Sequence, residues 1–201
     1  MSWIKEIDYP EATGSLKKLY KRVKGPDDNI DNILMAHSLR PHTLQGHMSL
    51  YKNVLHHKDN KLPKWYLETL GVYVSLLNQC GYCVDHHYAG LQRLAGEAEA
   101  ARLRAGLEQA VSPSDLLPPA QVHGLIYAHQ LTLLQKPMKE EDLRPMREAG
   151  LSDGEILEIN QVVSYFNYAN RTVIGLGVTT EGDILGLSPN DNDDESNWQH
   201  Q

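Results

Sequence analysis

An all-α helical bundle is the fold class that this sequence predicts, and three observations predict it. Apolar residues recur at steps of three and four along most of the chain. No segment alternates apolar and polar residues with period two, and no hairpin signal of the Asn-Gly type appears. Prolines and glycines stand at the ends of the periodic segments, where helices start and stop. Of the 201 residues, 41% are hydrophobic and 22% charged. That composition is close to the globular average and is enough to bury one core. One helical domain over residues 1–187, followed by an acidic polar tail at 188–201, is the expected organisation.

Taken in order, residues 15–24 read as a short basic helix. Gly25-Pro26-Asp27-Asp28-Asn29 breaks it and supplies a cap for a second helix over residues 30–39. Pro41 suits a first helical position, and Leu44, Met48, Tyr51 and Leu55 then fall on one face. After the polar turn Asp59-Asn60-Lys61, Pro63 opens a helix that runs through Asn78. Leu67, Leu70, Val74 and Leu77 share one of its faces, and Glu68, Val72, Ser75 and Gln79 occupy the other. The next helix covers about residues 79–94, and an Ala/Glu/Arg-rich one follows over 97–110. Ser112-Pro113-Ser114 and Pro118-Pro119 bracket a loop. Val122, Ile126, His129 and Leu133 mark a further helix, and residues 139–149 a shorter one. Ser152 caps a long helix that keeps Ile156, Ile159, Val163, Phe166 and Val173 in register up to Gly175 and Gly177. Residues 62–91 and 151–176 open alike and both run apolar, which raises an internal pseudo-repeat.

Charge and hydropathy exclude some functions. A net charge of −7 without a Lys/Arg stripe offers no footprint for nucleic acid. No apolar run approaches the ~20 residues that cross a bilayer. The start of the chain lacks an apolar stretch behind a basic cap, so the expected location is cytoplasmic, where thiols stay reduced.

The chemistry concentrates in Gln79-Cys80-Gly81-Tyr82-Cys83-Val84-Asp85-His86-His87, which holds both cysteines of the chain. On a helix Cys80 and Cys83 lie side by side, and His87 stacks one turn beyond Cys83. A free thiol titrates near ~8.5 and needs a base, a cation or a helix N-terminus to become a thiolate at neutral pH. The polar pair Asn78-Gln79 suggests a turn that sets Cys80 in a first helical turn, where the dipole favours the anion. His87 can take the proton, and a carboxylate would orient it. Glu68 lies ten residues before such a turn and His87 about eight after it. At ~1.5 Å rise per residue, antiparallel helices leave them only ~3 Å out of step.

Rival chemistries fit less well. Cys80, Cys83, His86 and His87 are zinc-ligand types, but two adjacent histidines do not converge easily with an i, i+3 thiol pair. Thioredoxin kinship lacks a βαβ pattern, and haem attachment fails because Val84 follows Cys83. The remaining histidines, among them His37, His42, His47, His56, His57, His123 and His129, read as surface or satisfied core groups. Trp65, Tyr66, Tyr73 and Tyr88 read as core or interface packing, and Arg171 as half of a structural ion pair.

Glu68, eleven residues, Cys80-Gly81-Tyr82-Cys83, three residues and His87 resemble the E-x11-C-x-x-C-x3-H signature of the alkylhydroperoxidase D-like branch of the carboxymuconolactone decarboxylase superfamily. Gly150-Leu151-Ser152-Asp153 and Tyr165-Phe166-Asn167-Tyr168-Ala169-Asn170-Arg171 look like the second half of its peroxidase-related members. The resemblance implies an all-helical homo-oligomer that uses neither cofactor nor metal. It implies that Cys83, activated by His87 and Glu68, attacks an alkyl hydroperoxide, and that Cys80 resolves the sulfenic acid as a disulfide. An external dithiol then completes the cycle, lipoyl-linked in the better-known relatives. Tyr82 stands where relatives studied as peroxidases can carry a relay histidine. His86, about 100° around the helix from His87, is not expected to replace it. Two alternatives stay open, dithiol exchange with another protein and a redox-sensing helical oligomer without catalysis.

Overall fold

A computed structural model of the chain describes residues 1–109 and 116–187, apart from the Asp27 side chain. The expected loop at Ser112-Pro113-Ser114, the end of the helix predicted to reach residue 110, and the tail at 188–201 lie outside the described residues. Among the described residues the regular structure is entirely helical, and no helix is long and apolar enough to cross a membrane. The all-α expectation therefore holds.

Helix α4 (Lys64–Leu77) is the axis around which the rest is built. Tyr66, Leu67, Thr69, Leu70, Val72, Val74 and Ser75 are fully buried, and Glu68 nearly so. Both faces of α4 that the sequence distinguishes contribute buried residues, Leu67, Leu70 and Val74 on one and Glu68, Val72 and Ser75 on the other. A helix apolar nearly all round belongs in the centre of a bundle. The α4 neighbours are α5 (Gly81–Ala95), α7 (Pro119–Leu133) and α9 (Asp153–Leu176). Helix α6 (Glu97–Glu108) follows α5 directly, and α8 (Arg144–Glu148) follows a 3-10 turn at Glu140–Leu143.

Helix α9 starts where Ser152 and Glu155 form a reciprocal capping box, and it ends at Gly177 in the left-handed region. It crosses α4 so closely that a Cβ on Gly71 would meet the Phe166 ring at 2.2 Å. Glycine is what permits this approach. The pseudo-repeat does not survive the geometry. Residues 62–91 form two helices that fold back at Gln79, whose φ is +57°, whereas α9 runs unbroken over the matching length.

On the N-terminal side, α1 (Gly14–Val23) and α3 (Pro41–Tyr51) form as predicted, and Leu44, Met48, Tyr51 and Leu55 are buried. A single π turn at Lys52–His56 extends α3. The helix expected over residues 30–39 shrinks to α2 (Asn32–Met35). Its backbone tightens into i+3 bonds at His37 and Ser38, and Arg40, facing Pro41, is driven out of helical geometry. The Asn32 side chain meanwhile donates to the carbonyls of Thr179 and Glu181, tying α2 to the segment that follows α9. This tie closes one wall of the site.

Candidate active site

The turn between α4 and α5 sets the thiols. Asn78 ends α4, Gln79 takes a left-handed backbone, and the Cys80 N–H donates to the Ser75 carbonyl at 2.9 Å. Cys80 then becomes the N-cap of α5, with Cys83 in its first turn. Both thiols are free and buried, with the two Sγ atoms 3.0 Å apart.

Glu68 projects from α4 onto α5, where its Oε2 lies 2.7 Å from His87 Nδ1. The carboxylate is almost wholly buried and the imidazole side chain is 15% exposed. Phe166 packs edge-on against the His87 ring at 4.5 Å and fixes its plane. Cys83, Glu68, His86, His87, Tyr51 and Tyr165 line one cavity of about 50 Å³. Cys80 lies behind Cys83 and is not part of that lining.

Acidity and access divide between the two sulfurs. The Cys80 thiol is shifted down, chiefly by the hydrogen bond with Cys83, although burial opposes the shift. The Cys83 thiol is pushed well up, first by that same hydrogen bond and then by burial. Two thiols 3.0 Å apart titrate as a pair, so the first proton leaves early, the second late, and the monoanion shares its proton between the sulfurs. Access also distinguishes the two sulfurs. Cys83 faces the cavity, and the Asn170 amide also hydrogen-bonds it, which favours charge there. Asn170 is fully buried and held in place, accepting from Asn78 at 2.9 Å and donating to Ser75 at 3.0 Å.

A second carboxylate, Asp183, comes from the segment after α9. It accepts from the Tyr82 hydroxyl at 2.7 Å, stands 3.1 Å from His86 Nε2, and accepts the Asn32 backbone N–H at 3.0 Å. Tyr82 stacks on His86 with centroids 4.5 Å apart. Burial, followed by the Asp183 charge, raises the Tyr82 hydroxyl far above its ordinary value, so it stays a neutral donor. His86 lines the same cavity as His87.

Glu68, Cys80, Cys83 and His87 are thus brought together as the sequence spacing suggested. Asp183, Tyr51, Tyr165 and the role of Asn170 were missed. Asp183 sits in a turn with no periodicity or motif to mark it, 97 residues from His86. His47, read from sequence as unremarkable, also reaches the cavity, with Tyr165 Oη 3.5 Å from its Nε2. Arg171 makes no ion pair among the described residues and instead donates to the carbonyl and side chain of Asn167. Trp65, Tyr66, Tyr73 and Tyr88 pack in or against the core. Among the described residues no group of three or more His, Cys, Asp or Glu side chains is arranged to hold a metal ion.

The all-α fold is shared with solved structures of the alkylhydroperoxidase D-like kind. The structure is similar to an alkylhydroperoxidase AhpD core, a peroxidase-related protein from Ralstonia eutropha JMP134, at TM-score 0.72 and 21% identity over 89% of this chain and 91% of that one. A peroxidase-related protein from Silicibacter sp. TM1040 matches at TM-score 0.66 and 26% identity, covering 75% and 76% of the two chains. The debrominase Bmp8 bound to 2,3,4-tribromopyrrole matches at TM-score 0.65 and 15% identity over 90% and 91%. No family model and no curated protein matches the sequence.

Proposed function

We propose that this protein is a thiol-dependent peroxidase that reduces small hydroperoxides through the Cys80–Cys83 couple. The observation that carries the reading is a free thiol pair 3.0 Å apart, one member of which shares a cavity with a buried carboxylate–imidazole pair at 2.7 Å. Glu68 occupies Nδ1 of His87 and leaves Nε2 to accept the proton of the dithiol. The Cys83 thiolate attacks the terminal oxygen of the hydroperoxide, the O–O bond breaks, and a sulfenic acid and an alcohol form. The Cys80 thiol then condenses with the sulfenic acid, releasing water as the sulfurs close from 3.0 Å to the ~2.05 Å of a disulfide. Two thiols and one hydroperoxide give one disulfide, one alcohol and one water. An external dithiol, lipoyl-linked as the family resemblance implies, restores the thiols. A homo-oligomer is what the family resemblance implies.

Burial weighs against one rival. Direct exchange with a protein disulfide needs an accessible sulfur, and Cys80 and Cys83 are 1% and 3% exposed. The test is peroxide consumption by two variants. Cys83→Ser abolishes it, and Cys80→Ser stops after one equivalent with a sulfenic acid that a dimedone probe traps. Consumption at the wild-type level in both variants overturns the reading.

A further inference from the structure

We propose that His86 is a second catalytic residue of this site, the general acid that protonates the leaving oxygen, and that Asp183 is its positioning residue. The inference rests on the peroxidase reading and deepens it. Attack by the Cys83 thiolate on ROOH makes the S–O bond, breaks the O–O bond and expels RO⁻, a strongly basic leaving group. In-line attack places that oxygen on the side of the peroxide away from the sulfur. A proton donor on that side, apart from the base at His87, would lower the barrier to O–O cleavage.

His86 fits that role. It lines the cavity with Cys83 and His87, yet answers to a different carboxylate. The Asp183 side chain is 1% exposed, and its Oδ2 accepts from Tyr82 while standing 3.1 Å from His86 Nε2. The Asn32 N–H holds the other oxygen at 3.0 Å. A buried carboxylate so fixed anchors His86 at Nε2, and the Tyr82 ring stacked at 4.5 Å holds the imidazole plane. The charged and titratable groups that share the cavity or the hydrogen bonds of His86 are Asp183 from the segment after α9, Asp31 just before α2, His47 and Tyr51 on α3, Glu68 on α4, Tyr82, Cys83 and His87 on α5, and Tyr165 on α9. The proton His86 gives to RO⁻ is replaced by the one His87 took from the dithiol, so the step closes with no further reactant.

The experiment compares oxidants that differ in leaving group, using the reduced full-length protein in stopped flow. tert-Butyl hydroperoxide expels an alkoxide that needs a proton, whereas peracetic acid expels a carboxylate that does not. His86→Gln is expected to lose about 10²-fold in oxidation rate with the alkyl hydroperoxide, the usual size of a general-acid contribution, and to keep its rate with the peracid. Asp183→Asn, which removes the anchor of His86 but leaves the imidazole, is expected to lose rate with the alkyl hydroperoxide, by less than His86→Gln, and likewise to keep its rate with the peracid. Equal loss with both oxidants, or no loss with either, overturns the assignment alone. Wild-type protein oxidised no faster than free cysteine by both oxidants overturns the peroxidase reading and this assignment with it.

Discussion

Glu68 Oε2 lies 2.7 Å from His87 Nδ1 across a helix pair, although nineteen residues of chain separate them. The left-handed turn at Gln79 folds α5 back along α4 and brings the two groups level. Four further consequences of this arrangement can be measured.

Removing the relay slows oxidation. His87→Gln cannot accept the proton, and Glu68→Gln cannot stabilise the imidazolium, so each is expected to cost roughly 10²-fold in peroxide oxidation near neutral pH. Stopped-flow thiol loss measures it. The deficit shrinks as alkali ionises the dithiol without help.

Replacing Gly71 tests the crossing of α4 and α9. An added methyl meets the Phe166 ring at 2.2 Å, so Gly71→Ala is expected to destabilise the fold by about 1–3 kcal/mol. Phe166 also packs on His87, so the oxidation rate falls as well. Gly46→Ala on α3, which meets nothing within 4 Å, serves as the contrast and is expected to be neutral or to gain up to ~1 kcal/mol. Urea midpoints distinguish the two.

Gln79 holds a positive φ that costs a non-glycine residue about 1 kcal/mol, so Gln79→Gly is expected to stabilise the protein by a comparable amount. An unchanged or lowered melting temperature contradicts the account of the turn.

Alkali destabilises the fold through its buried tyrosines. Burial pushes the Tyr66, Tyr82 and Tyr165 hydroxyls above their ordinary 10.0. Above that pH the unfolded chain has lost these protons while the folded chain keeps them, so stability falls with rising pH. Tyrosinate absorbance is expected to appear together with loss of helix rather than before it.

The helix spans were legible because apolar spacing of three and four records which face meets a neighbour, as Leu44, Met48, Tyr51 and Leu55 show. Glu68 and His87 were legible because the chain between them is two helices and a turn, whose axial distances follow from residue counts. Asp183 was not legible. Its place beside Tyr82 and His86 depends on how the segment after α9 returns across α2, a tertiary contact made by Asn32. The shortening of the second helix has the same origin, since Asn32 and Pro41 outweigh local propensity there. The apparent repeat failed because similar apolar content conceals one residue, Gln79, that turns the chain.

The most direct measurement is stopped-flow oxidation of the reduced protein by hydrogen peroxide and tert-butyl hydroperoxide near neutral pH, with free thiols counted before and after. The account predicts oxidation far faster than that of free cysteine, with both thiols lost for each peroxide consumed and Cys80 found bridged to Cys83. Oxidation at the rate of a free thiol, or loss of the thiols without that bridge, contradicts it.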